Sequence, residues 1–163
     1  MTVAPGNPIS ARGYATLKAR YDHLLGIERP RIVEIVSWAA GNGDRSENGD
    51  YQYGKKRLRE IDRRLRHLGK RLDAAEVVDP ALQTRRDQVF FGATVTYADE
   101  DDRNTTVTIV GADEADVKES KVSLASPVAQ ALLGARVGEE RRVRTPRGPE
   151  LVEVLAIRYP APP

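Results

Sequence analysis

Apolar residues recur at spacings of three and four through the first half of the chain, and close to alternately through much of the second. Ser10 is a suitable N-cap, and Tyr14, Leu17, Tyr21 and Leu24 follow as the seam of an amphipathic helix. Pro30 interrupts this set. A proline disfavours the helical region for the residue before it, so Arg29 should leave that region and a break or kink is expected near 28–31. Pro30 would suit the first turn of a second helical segment, in which the pattern resumes in a shifted register with Ile32, Ile35, Val36 and Ala39, and Gly41 and Gly43 stop it. Residues 1–8 hold two prolines and a glycine and read as a loose end. The return segment is more regular: Tyr51, Gly54, Leu58, Ile61, Leu65, Leu68 and Leu72 hold the alternation over three heptads, with Asp44, Ser46 or Asn48 available as its cap. Two such helices joined by a short loop must run antiparallel. At 1.5 Å per residue, about 28 residues from 48 to 75 span roughly 40 Å.

Val77-Val78-Asp79-Pro80 closes the helical part. Val89 to Tyr97 and Thr105 to Val110 read as a β-hairpin around the hydrophilic turn Asp99–Asn104, and Lys121 to Leu124 as a further strand. Ser126-Pro127 is a helix start, a serine cap with proline at the first position, and Gly134 ends the short helix that follows. Arg141 to Arg144 and Leu151 to Tyr159 read as two strands joined around Thr145–Pro149. The predicted organisation is therefore α+β. A helical hairpin occupies 1–77 with a polar tip at 41–50, and a small sheet with one short helix occupies 78–163. There is no internal repeat.

Composition narrows the function classes. The chain of 163 residues has no cysteine, which excludes disulfides and thiolate metal sites. No apolar run approaches the length of about 18 residues that a membrane helix needs, so no membrane partner is expected. The segment MTVAPGNPIS lacks a basic region followed by an apolar core, so no secretory signal is expected and the cytoplasm is the expected location. Residues 1–76 carry 15 Lys and Arg against 10 Asp and Glu, whereas 77–163 carry 11 against 14, which suggests two modules with different partners.

Two constellations could carry chemistry. The tip Gly41–Tyr51 holds Asp44, Glu47 and Asp50. Acids in the first turn of a helix complement its dipole, and that alone accounts for such residues. Alternatively, an Asp and a Glu three apart are hard oxygen ligands that could complete a divalent-metal site supplied mainly by a partner, as two-metal phosphodiester chemistry requires. On the return helix, nine Lys and Arg fall within residues 55–71. Lys56, Arg63 and Lys70 point away from the seam, with Arg59 and Arg66 beside them. Arg57, Arg64 and Arg71 flank the seam, and the whole set forms either a solvated face with the flanking arginines paired to acids of the first helix or a track for a phosphate backbone. His23 and His67 are isolated and read as surface residues. Ser46 has no histidine nearby, and the tip glycines lack the strand and lysine of a nucleotide-binding loop.

The run Gly43-Asp44-Arg45-Ser46-Glu47-Asn48-Gly49-Asp50-Tyr51-Gln52-Tyr53 resembles the tip motif of the Gre transcript cleavage factors, and Lys55–Arg64 is similar to the GreB-like members. Glu28-Arg29-Pro30, Val89–Ala93 and Ser126–Leu133 share the likeness, which covers about residues 10 to 159. The resemblance implies an antiparallel coiled coil followed by an FKBP-like domain, acting on bacterial RNA polymerase as a monomer. The globular domain would dock at the rim of the secondary channel through Ser126 and Pro127, and the coiled coil would enter it. Asp44 and Glu47 would then hold a Mg²⁺ shared with the polymerase active site, and that site, not this chain, would cleave backtracked RNA. Lys56, Arg59, Arg63, Arg66 and Lys70 would contact the extruded RNA 3′ segment, while Asp50 reads as a first-turn acid. Gly49 stands where the family usually has alanine, and Ala125 where relatives commonly carry a polar or acidic residue. A non-catalytic protein occupying the same channel is the alternative reading, and a coiled-coil scaffold without a polymerase link a third.

Overall fold

The structure, a computed structural model, describes residues 7–42 and 48–163. Its contacts divide the chain into two units, Tyr14–Ala74 and a second formed by Met1–Gly13 with Ala75–Pro163. The first is helical and the second is built on a sheet, so the fold is α+β. No helix among the described residues is long and apolar enough to cross a membrane.

Helix α1 (Ala11–His23) begins at Ser10, whose hydroxyl accepts the Gly13 N–H at 3.0 Å. It passes without a break through one π turn, Leu24–Glu28, into α2 (Arg29–Ala40). The break expected near Pro30 is therefore absent, and Arg29 is helical at φ −61°, ψ −49°. The buried residues of this arm explain why. Leu17, Leu24, Ile32 and Ala39 are spaced by seven, eight and seven. One residue too many lies between Leu24 and Ile32, and a wide turn is the way a helix absorbs it. The Arg29 N–H reaches back five residues to the Leu24 carbonyl. Pro30, at the second position of α2, has no N–H to contribute, so the turn that lacks regular bonding is where a proline costs least.

Helix α3 (Gly49–Ala74) returns along this arm. Gly54 and Ile61 are buried in the seam, and Leu58, Leu65 and Leu68 pack against Leu24, Ile32 and Ile61. Gly54 marks a close approach, because a Cβ there would stand 2.5 Å from Val36 Cγ2.

In the second unit, β1 (Asn7–Ile9) pairs in parallel with β2 (Ala75–Val77). This corrects the reading of residues 1–8 as a loose end: Ile9 is fully buried, and Asn7 and Pro8 belong to a strand. Residues 1–6 lie outside the described part. The main sheet contains β3 (Thr94–Ala98), β4 (Asn104–Val110), β5 (Lys121–Ser123), β6 (Glu140–Thr145) and β7 (Gly148–Arg158), in the order β5-β4-β3-β7-β6. Only β4–β5 is parallel. Helix α4 (Pro127–Leu132) packs Ala129 and Leu132 against Val95, Val107, Ile109, Val143, Val152 and Val154 to make the core.

The strand expected over Val89–Tyr97 is shorter than predicted. Val89–Ala93 is apolar because Val89 and Ala93 are buried, but Gly92 at φ 85° turns the chain before β3 begins. Tyr159 holds this turn in place. Its hydroxyl accepts the Phe90 N–H at 2.8 Å and donates to the Gln88 carbonyl at 2.5 Å. Glu114 is a second fastening point. Its carboxylate accepts the Ser10 N–H at 3.2 Å and the Gly111 N–H at 3.1 Å, and also takes the Ser10 hydroxyl. In a local capping box the residue at the Gly13 position would supply that carboxylate. Here it comes from 104 residues along the chain, and a Cβ on Gly13 would collide with it.

Two glycines on the hairpin should respond oppositely to alanine. Gly26 in the π turn has open space around it, so Gly26→Ala should raise stability by about 0.5–1 kcal/mol in urea unfolding. Gly54→Ala gains the same propensity but must displace the stiff Val36 side chain, and overpacking of roughly 1–3 kcal/mol should leave it net destabilised. A second test concerns Tyr159. Burial raises its pKa above the ordinary 10.0, against the opposing Phe90 hydrogen bond. The neutral phenol is therefore the form the fold favours. Its contribution is complete below the unfolded pKa and is lost as pH rises toward the higher folded value. Burial raises Tyr97 as well, so absorbance titration should show late-ionising tyrosines, with one fewer in Tyr159→Phe. That variant should also lose about 1–3 kcal/mol, because the Phe90 N–H and Gln88 carbonyl lose their partner.

Candidate nucleic-acid interface on the helical hairpin

The two ends of the tip segment are tied together by one side chain. Asn48 accepts the Tyr51 N–H on Oδ1 at 3.2 Å, capping α3, and donates Nδ2 to the Ala39 carbonyl at 2.6 Å, near the end of α2. Of the three caps the sequence offered, Asn48 is the one used. Gly41 closes α2 with its N–H 3.1 Å from the Trp38 carbonyl, and the Asn42 N–H reaches Ala39 at the same distance. Asp50 lies in the first turn of α3, where a carboxylate complements the helix dipole. Asp44 and Glu47, the candidate catalytic and metal-binding acids, lie outside the described residues.

The five candidate RNA contacts are described, and all are exposed: Lys56, Arg59, Arg63, Arg66 and Lys70 form a basic ridge on α3 turned away from the buried Gly54 and Ile61. The ion pairs among the described residues of the hairpin use other cations. Arg29 Nε lies 2.9 Å from Asp62 Oδ1, and Arg57 pairs with Glu28 across the seam and with Glu60 at 3.3 Å on its own helix. The Glu28 hydrogen bond, then that of Glu60, hold the Arg57 guanidinium above its ordinary pKa. Both residues before Pro30 are thus bound to α3. The Arg57–Glu28 pair agrees with the expectation that arginines flanking the seam meet acids of the first helix, and the π turn sets which acid is met.

On the other unit, Ser126 caps α4 by accepting the Ala129 N–H at 3.3 Å, and Pro127 occupies the first helical position and is exposed, as is Ala125. The cap uses one acceptor position of the Ser126 hydroxyl and leaves its O–H free to donate, beside the exposed Pro127 and Ala125.

Comparison with known sequences agrees with this architecture. Residues 7–77 match the family described as "Transcription elongation factor, N-terminal", and residues 83–159 match "Transcription elongation factor, GreA/GreB, C-term". The chain belongs to the GreA/GreB family of transcription elongation factors. It is 54% identical over 159 residues to transcription elongation factor GreB of Neisseria meningitidis serogroup B, covering 98% of each chain. To GreB of Pseudomonas aeruginosa it is 47% identical over 161 residues, covering 97% of this chain and 94% of that one. To GreA of Syntrophotalea carbinolica it is 40% identical over 153 residues, covering 93% and 96%.

The Glu28–Arg57 pair offers a direct check on the hairpin. Both side chains are 27% exposed, whereas Lys18 and Asp22 are 52% and 57% exposed. A double-mutant cycle on Glu28 and Arg57 should give a coupling of about 1 kcal/mol, the upper end for such pairs. The same cycle on Lys18 and Asp22 should give a clearly smaller coupling that salt removes.

Proposed function

We propose that this chain binds bacterial RNA polymerase through its secondary channel and stimulates the polymerase to cleave backtracked nascent RNA, so rescuing arrested complexes in the cytoplasm. Family membership supports the transcriptional role. The observation that supports the finer reading is the Asn48 clamp, which joins the Ala39 carbonyl near the end of α2 to the first turn of α3. A helical hairpin can carry the segment between its helices to a partner, and in the sequence that segment contains Asp44 and Glu47. Their donor chemistry, two hard carboxylate oxygens and no soft ligand, fits Mg²⁺ held jointly with a partner's own ligands. When bound there, the ion supplies Lewis-acid activation of water for phosphodiester hydrolysis.

The other parts have distinct tasks in this reading. Lys56, Arg59, Arg63, Arg66 and Lys70 neutralise the phosphates of the extruded RNA 3′ segment, a contact that weakens with salt. The surface at Ser126 and Pro127 docks on the polymerase, and the hairpin seam holds the tip at a fixed reach. The chain is a stimulating factor rather than a nuclease, and it works as a monomer.

The test is a stalled, backtracked polymerase complex with labelled RNA and Mg²⁺. The chain should accelerate cleavage, and Asp44→Ala or Glu47→Ala should abolish that acceleration while polymerase binding is retained. Normal cleavage by both variants would remove the tip from the mechanism. Inhibition of multi-round transcription without rescue would favour a channel-blocking role instead.

A further inference from the structure

Beside the basic ridge, the hairpin carries a groove of about 480 Å³ whose lining includes Ile27, Arg31, Ile32, Tyr53 and Lys56, together with the Glu28, Arg57 and Glu60 ion-pair set. The extra residue in the π turn accounts for its apolar exposure. Ile32 is buried at 8%, but Ile27 has no place in the seam and stays 61% exposed. On α3, Tyr53 is 63% exposed although it is next to the buried Gly54. An exposed aromatic ring and an exposed isoleucine therefore share one concave surface, where burial would favour both.

The charge of the groove indicates what would cover them. Its two carboxylates, Glu28 and Glu60, are both engaged by Arg57. Arg31 and Lys56 are exposed on the same groove, while Lys18, Arg29 and Arg57 make ion pairs within the hairpin. The occupant must combine a flat apolar face with negative charge, and it must be long enough to follow a groove running from Tyr53 to Glu60, roughly 10 Å along the helix. An acidic peptide has the charge but seldom the flat face. A nucleotide has both, and Lys56 belongs to this groove and to the basic ridge alike, which makes the surface continuous.

We infer that this groove binds a nucleotide unit of single-stranded RNA, with the base stacked on Tyr53 against the apolar Ile27 side and its phosphates on Arg31 and Lys56. The inference deepens the RNA-facing role proposed above and rests on it. It adds base stacking, which is tolerant of sequence because every base has a π-face, to a contact otherwise made through phosphates. It also assigns a role to Tyr53, Ile27 and Arg31, none of which lies on the outward ridge.

The test uses the full chain without polymerase or Mg²⁺, so its outcome is independent of the cleavage reading. Fluorescence anisotropy of a labelled octauridylate at low salt gives the affinity, and circular dichroism checks that each variant stays helical. Tyr53→Ala should weaken binding roughly fivefold or more, the effect of losing one stacked base, while Tyr53→Trp should restore it. Arg31→Ala should reduce the slope of log affinity against log salt by about 0.7. Lys18→Ala, away from the groove, should bind as the wild type does. Unchanged binding by Tyr53→Ala would overturn the inference. So would binding of free UTP as tightly as the octamer, which would make the occupant a mononucleotide. Loss of polymerase affinity in Tyr53→Ala with RNA affinity intact would also overturn it, assigning the groove to a protein partner.

Discussion

The hairpin depends on one mismatch between its sequence and the α-helical period. A residue is inserted between Leu24 and Ile32, and the chain must either break the helix, turn Ile32 and Ala39 out of the seam, or widen one turn. Breaking would leave several backbone groups without partners, and rotating the seam would expose residues that are now 8% and 0% accessible. Widening a single turn changes only a few hydrogen bonds, so the π turn is the least costly solution. Pro30 then fits just beyond it, because a proline forfeits a bond that the widened turn already disturbs. The same turn decides which residues meet across the seam: Arg29 with Asp62, and Glu28 with Arg57.

Those two ion pairs cannot be the main source of stability. Each is partly exposed, and pairs of that kind contribute about 1 kcal/mol at most. The apolar seam contributes more, since fully burying one Leu or Ile side chain is worth roughly 1.5–3 kcal/mol, and Leu24, Ile32 and Ile61 are each at least nine-tenths buried. What the ion pairs add is register. A like-sized apolar seam can slide by a heptad, but Glu28 and Asp62 accept Arg57 and Arg29 only in one alignment. The division of cations follows from this. Arg29 and Arg57 are used within the hairpin, and the ridge from Lys56 to Lys70 is left to solvent or to a ligand.

The seam of the return helix was legible from spacing alone, because Gly54, Leu58, Ile61, Leu65 and Leu68 repeat without interruption and nothing competes with that signal. The strands β4, β5, β6 and β7 and the serine-capped α4 were legible for the same reason, each being a local pattern that the fold did not override. Pro30 carries two meanings, break and first-turn residue of a following helix; the structure uses the second, and the eight-residue step from Leu24 to Ile32 is the signal that separates them. That Asn7 and Pro8 fall in a strand and not in a loose end was not legible, because a three-residue strand has almost no pattern of its own and exists through Ala75–Val77. Val89–Ala93 has the apolar content of a strand, but Gly92 turns it. The Glu114 cap on α1 joins positions 104 residues apart and leaves no periodic trace, although Gly13 three residues into a helix was a hint that something approaches closely. At the candidate site, the ridge was readable as an excess of charge. The groove was not, since it depends on which way the π turn points Ile27.

That dependence links the two ends of the hairpin's design. If the seam were a regular heptad repeat from Leu17 to Ala39, Ile27 would have no reason to leave it and Glu28 no reason to meet Arg57. The surface beside Lys56 would then be an ordinary flat helix pair with the charges on its rim. With the inserted residue, the arm presents an apolar residue and an exposed cation, Ile27 and Arg31, to the same space as Tyr53. A register defect of one residue, held by a proline and two ion pairs, thus turns a purely electrostatic ridge into a surface with shape and stacking capacity. The hairpin seam need not weaken in exchange, because the π turn returns Ile32 and Ala39 to it on the far side.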